Sequence, residues 1–152
     1  SHAFGLGDIP LHQASEMAEL LADAGISIIT SVPNDRSFPP VGLLHNKGVD
    51  VALGCDNIFD VWSPFGNGDI LERAGRLAEF SRWIDEQSLA QTLGFITGGK
   101  TPLNHEGKQV WPQVGDDANI VFVKASCSAE AIARRAERAA TMYKGKIVAG
   151  SL

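Results

Sequence analysis

The stretch VDVALGCDNIFDVW, residues 49–62, decides how the fold is read. Val49, Val51 and Leu53 alternate with their neighbours as a strand does, and Gly54 closes the run. A polar loop with two carboxylates, Asp56 and Asp60, follows, and a helical pattern begins at about Asp69. Strand, loop and helix in that order make half of a βα unit. Upstream, ISIITSV (26–32) is apolar and β-branched on successive residues, as expected of a strand buried on both faces in a parallel sheet.

Other segments extend the alternation. A helix is expected over 10–25, with Pro10 in its first turn, a buried stripe of Leu11, Met17, Leu20, Leu21 and Ala24, and Gly25 as its left-handed end. A short helix is expected over 41–48, ending at Gly48. The helix from about Asp69 to Ile84 should bury Ile70, Ala74, Leu77, Ser81 and Ile84, with Glu72 and Arg76 paired on its outer side. Asp85 suits the cap of a second helix, EQSLAQTLGFIT. Residues 98–117 have no period and read as a long connection. A strand (ANIVFVKA), a helix over 128–142 with Ser128 as its cap, and a turn into a last strand (KGKIVAGSL) complete the chain. The class is α/β, with right-handed βαβ crossovers and a parallel sheet. In such sheets chemistry gathers at the carboxyl ends of the strands. His2, the triplet Asn34, Asp35 and Arg36, and the group Asp56, Asn57, Asp60 and Trp62 all fall there.

Composition narrows the partners. The 152 residues suit one domain, and a net charge of −5 argues against nucleic acid, because phosphate contacts need clustered Lys and Arg. The basic stretch AIARRAERAATMYKGK is interrupted by Glu137, with Glu130 just before it, as on a solvated helix face. No apolar run approaches the roughly 18 residues of a membrane span. Cys55 and Cys127 form no CxxC pair, so a reduced, cytoplasmic setting with two free thiols is expected. No GxGxxG, GxxxxGK[ST] or GxSxG is present, and His12, His45 and His105 read as solvent-facing. From residue types alone, Asp56 is either a turn former or a metal ligand, and His2 either an exposed terminal residue or part of a site.

A resemblance bears on that choice. GCDNIFDVWSPFGNGDIL resembles the C-terminal part of cytosine deaminase and its relatives in the metal-dependent amidohydrolase superfamily. Gly54, Cys55, Asp56, Phe59, Asp60, Trp62, Pro64 and Gly66 stand in the order of the family's last barrel strand and the turn after it. SHAF is similar to the family's sequence at the end of the sixth strand. AQTLGF, VGDDANIVFVKA and YKGKIVAG are similar to later family patterns. The resemblance implies a partial (β/α)8 TIM-like barrel, strands six to eight, over residues 1–97. Residues 98–152 would then hold a long connection and the C-terminal strands of a small β-sandwich.

The activity so implied is hydrolytic deamination of a cyclic amidine such as cytosine, isocytosine or an amino-triazine, by water activated on one divalent ion, iron or zinc, per complete site. By position, Asp56 would be metal ligand and proton acceptor, His2 the histidine that orients the water, Trp62 a wall of the substrate pocket, and Asn57 its edge. Cys55 and Asn57 depart from cytosine deaminase, which has a histidine and a second carboxylate there. A neutral amide both donates and accepts hydrogen bonds, so the heterocycle recognised could differ. No H-x-H pair occurs, so the metal site is incomplete in this chain. The abrupt opening at Ser1 suggests a piece of a longer enzyme, inactive alone, that forms a homo-oligomer or binds a complementary chain segment. The other reading is a catalytically silent half-barrel or small α/β domain that acts by self-association.

Overall fold

The structure is a computed structural model that describes residues 2–152. The chain divides into two units, one running to Arg73 and the other spanning Ala74–Leu152.

The first unit holds helices α1 (Gly5–Asp8), α2 (Leu11–Asp23) and α3 (Val41–Asn46), and strands β1 (Ile28–Thr30) and β2 (Val51–Leu53). The strands are parallel, with Ile28 opposite Val51 and Thr30 opposite Leu53. Ile28, Thr30, Val51 and Leu53 are buried, whereas Ile29 is 49% exposed. β1 therefore covers one face and not both. α2 also departs from expectation: Ala14 and Ala18 are its buried residues, and Leu11, Met17 and Leu20 are exposed. The buried residues are small side chains four apart, on one face of the helix. Val32, Val41, Leu44 and Val49 fill the core of the unit.

The second unit takes in most of α4 (Ile70–Phe80), then α5 (Glu86–Thr92), a 3-10 turn (Leu93–Ile96), β3 (Ile120–Val123), α6 (Ser128–Ala133), β4 (Arg138–Tyr143) and β5 (Lys146–Gly150). Asp85 caps α5 as expected, accepting from the Ser88 amide at 2.9 Å. Residues between the 3-10 turn and β3 form turns and one isolated bridge, Leu103 to Gln109. The last three strands form an antiparallel sheet in the order β3-β4-β5, so the parallel pattern does not run through the chain.

Two expected helices prove shorter. α4 stops at Phe80, which leaves Ile84 86% exposed, and Arg76, expected outside, is buried. The helix expected over 128–142 ends at Ala133, its cap is Cys127 rather than Ser128, and its second half is strand β4. Alanine and arginine are good helix formers, but β4 is paired along both edges, and that pairing outweighs local preference.

One device closes four helices. After α2, the Ile26 amide donates to Leu21 O, with Gly25 at φ 64°. After α3, Val49 donates to Leu44 O, with Gly48 at φ 86°. After α4, Trp83 donates to Ala78 O, and after α6, Ala136 donates to Ala131 O. These are Schellman closures, which need a left-handed residue. In α4 and α6 that residue is an arginine, Arg82 (φ 57°) or Arg135 (φ 49°). A non-glycine residue in this region costs about 1–2 kcal/mol. Arg82→Gly is therefore expected to raise the stability of the chain by up to about 1 kcal/mol, after the extra backbone entropy that glycine gives the unfolded state is set against the relieved strain, seen as a higher urea midpoint. An unchanged or lower midpoint would show that Arg82 is not strained.

Candidate functional site

Three segments meet at the carboxyl ends of β1 and β2. The His2 amide donates to Ile29 O at 2.7 Å, which sets His2 beside β1. The residues at these ends are left-handed: His2 (φ 69°), Ala3 (φ 50°), Val32 (φ 49°) and Asp56 (φ 60°). Such conformations cost free energy, most of all for a β-branched valine, and they collect where a site needs them.

The central contact joins His2 Nε2 to Asp56 Oδ2 at 3.0 Å, across 54 residues of sequence. Each side chain is 42% exposed, so a small molecule can reach both. Phe4 presents its ring edgewise to the imidazole, with centroids 5.1 Å apart, and the Arg36 guanidinium lies 5.5 Å from the Phe4 centroid. Arg36 in turn grips Asp35 with two nitrogens, which depresses the Asp35 carboxyl below the usual carboxylate range.

Asp60 organises the loop after β2. Its carboxylate accepts from Asn57 Nδ2 at 2.7 Å and from the amides of Trp62 (3.0 Å) and Ser63 (2.9 Å). These bonds favour the charged form, first the Asn57 amide and then the Ser63 amide, and they lower the Asp60 pKa. The loop order that Asp60 supplies is therefore complete above the unfolded value of about 4 and is lost as pH falls through the depressed folded value. The Trp62 and Ser63 amide resonances are expected to titrate with a midpoint below about 4. A midpoint at or above that value would contradict the tether. At the loop's base the Phe59 amide donates to Gly66 O at 2.6 Å.

His2 and Asp56, singled out from sequence, are in contact. Asn57 stands next to Asp56 but its amide is turned to Asp60, and the Trp62 side chain is 77% exposed. Sequence reasoning missed Asp60 as the tether, although an aspartate two and three residues before the amides it binds has the spacing of a turn. Phe4 carried no signal beyond its place beside His2.

One imidazole and one carboxylate suit a borderline divalent cation, which needs three or more protein ligands. Among the described residues no group of three or more His, Cys, Asp or Glu could hold a metal ion. The residues present fit part of such a site. No helix among the described residues is long and apolar enough to cross a membrane.

Comparison with known proteins adds four findings. Residues 1–149 match the model of the Amidohydrolase family. The chain is 45% identical over its full length to the Uncharacterized protein YahJ of Escherichia coli (strain K12), of which it covers 33%. It is 31% identical, over 97% of its length, to N-isopropylammelide isopropyl amidohydrolase of Pseudomonas sp. (strain ADP), of which it covers 37%. The crystal structure of 5-methylcytosine deaminase from Klebsiella pneumoniae, liganded with 5-fluorocytosine, superposes with a TM-score of 0.75 at 22% identity, over 99% of this chain and 40% of that one. The chain thus spans about a third of the length of the curated relatives it matches.

Proposed function

The chain belongs to the amidohydrolase family, and we propose that it is the C-terminal part of a metal-dependent hydrolase that releases ammonia from a cyclic amidine. In this reading residues 1–97 carry the ends of barrel strands six to eight, β1 and β2 being the seventh and eighth. Residues 98–152 carry the connection and the strands of a small β-sandwich. The observation that carries the reading is the 3.0 Å contact of His2 with Asp56 at neighbouring strand ends.

Asp56 would hold the divalent ion, iron or zinc, together with ligands from the rest of the barrel. The ion, when bound, supplies a water whose pKa is lowered toward neutrality. Asp56 would accept a proton from the water that attacks the ring carbon bearing the amino group. His2 Nε2 fixes the attacking oxygen beside the carboxylate. The C–N bond would then break as the proton held by Asp56 passes to the leaving nitrogen, and the remaining hydroxyl proton would move to the ring nitrogen to leave a ring carbonyl. Trp62 supplies an aromatic face for the heterocycle, and Asn57 reads its edge through an amide held by Asp60.

The 31% identity to an enzyme named for N-isopropylammelide supports an amino-triazine as readily as a pyrimidine. The partner is a small heterocycle rather than nucleic acid or membrane, and Cys55 and Cys127, both free thiols, suit the cytoplasm. The exposed Leu11, Met17, Leu20 and Ile29 favour further association, with a complementary barrel segment or with a second copy.

Ammonia release from cytosine, isocytosine and ammelide tests the proposal, measured with zinc or iron on the chain alone and on the chain with the remaining barrel strands supplied. Activity is expected only in the completed protein. Metal uptake without amine release from any cyclic amidine would leave the silent, self-associating reading in its place.

A further inference from the structure

Arg73, in the first turn of α4, is 2% exposed. A guanidinium taken out of water is costly unless its donors are used, so its surroundings carry information. Arg73 Nη1 donates to Ser31 O, just past the end of β1, at 3.3 Å. Its Nε lies 3.7 Å from Glu72 Oε2. Its Nη2 lies beside Gly66, 3.0 Å from the point a methyl group on that glycine would occupy. The same methyl would overlap the Asn57 carbonyl, so Gly66, Asn57 and the Arg73 fork are pressed together. One side chain therefore spans from the end of β1 to the returning limb of the loop that carries Asp56.

We infer that Arg73 is a positioning residue: its buried guanidinium holds the end of β1 and the Gly66 limb at one separation, and so sets where Asp56 meets His2. The inference rests on reading Asp56 and His2 as the site. Arginine is suited to the task because its rigid planar fork donates to Ser31 O with one nitrogen while the other packs against Gly66, which a lysine ammonium on a flexible stem cannot reproduce.

The test is Arg73→Lys in this chain, followed by amide exchange and by the ¹⁵N resonances of the His2 ring. The Phe59 amide, bonded to Gly66 O, reports on the loop, and the Ile28 amide, bonded to Asp50 O at 2.8 Å, reports on the sheet. The Phe59 amide is expected to exchange about tenfold or more faster with Ile28 unchanged, and the His2 Nε2 resonance to shift. Equal acceleration of both amides, or no change at Phe59 and His2, would overturn the inference. Should Arg73→Lys not fold, the wild-type chain decides it. Separate, slowly exchanging Arg73 Nη protons with contacts to Gly66 Hα are expected, and a freely rotating guanidinium would overturn the inference. None of these readouts needs metal or substrate, so they stand or fall apart from the hydrolase reading.

Discussion

Asp56→Asn in the completed protein is expected to lower the rate of amine release at least about a thousandfold, roughly 4 kcal/mol of barrier, with the fold unchanged. The substitution keeps the size of the side chain and removes its charge. An amide takes no proton from water and is a poor ligand for a divalent cation beside an imidazole. The backbone of Asp56 is left-handed, φ 60°, a conformation that asparagine accepts as readily as aspartate. Loss of rate without loss of stability would separate chemistry from structure. A fall of less than about tenfold would remove Asp56 from both of its proposed roles.

Gly66→Ala carries the largest expected cost in stability. A methyl at Gly66 would enter the space of the Asn57 carbonyl oxygen, which is main chain and cannot swing away, and would also press on Arg73 Nη2. Relief requires the loop to open at the Phe59–Gly66 hydrogen bond, and with it the turn that Asp60 holds. Overpacking of this kind costs about 3 kcal/mol. A lower urea midpoint and loss of the Phe59 amide's protection are expected together. A variant as stable as wild type would mean that the limb is free to move, and would weaken the role given to Arg73 as well.

The helix ends show how far the sequence could be read. Gly25 and Gly48 announce left-handed closures, and both helices end where the glycines say they should. Arg82 and Arg135 adopt the same conformation without the same signature, since arginine is ordinarily a helix former. The two helices read as too long, α4 and α6, are those closed by an arginine. In the second case the error reached further, because Arg138–Tyr143 pairs with strands on both sides and becomes β4. Local preference carries no trace of partners that lie elsewhere in the chain.

The site was readable to a different depth. The order of Gly54, Asp56, Phe59, Asp60 and Trp62, with His2 ahead of them, directs attention to the strand ends where His2 and Asp56 meet. The 3.0 Å contact itself depends on left-handed turns at His2 and Asp56, a conformation these residue types adopt more often than most but do not dictate. Asp60 could have been recognised from its spacing to the amides it binds. Arg73 could not, because an arginine among glutamates on an amphipathic helix reads as a solvated face, and only the folded chain shows it buried.

The central claim is that Asp56 holds a divalent cation when the barrel is complete. Its most direct test is the metal content of the completed protein, by elemental analysis, for wild type and for Asp56→Asn. One zinc or iron per site in the wild type, and its loss in the variant, is the expected result. Full occupancy in the Asp56→Asn protein would contradict the claim.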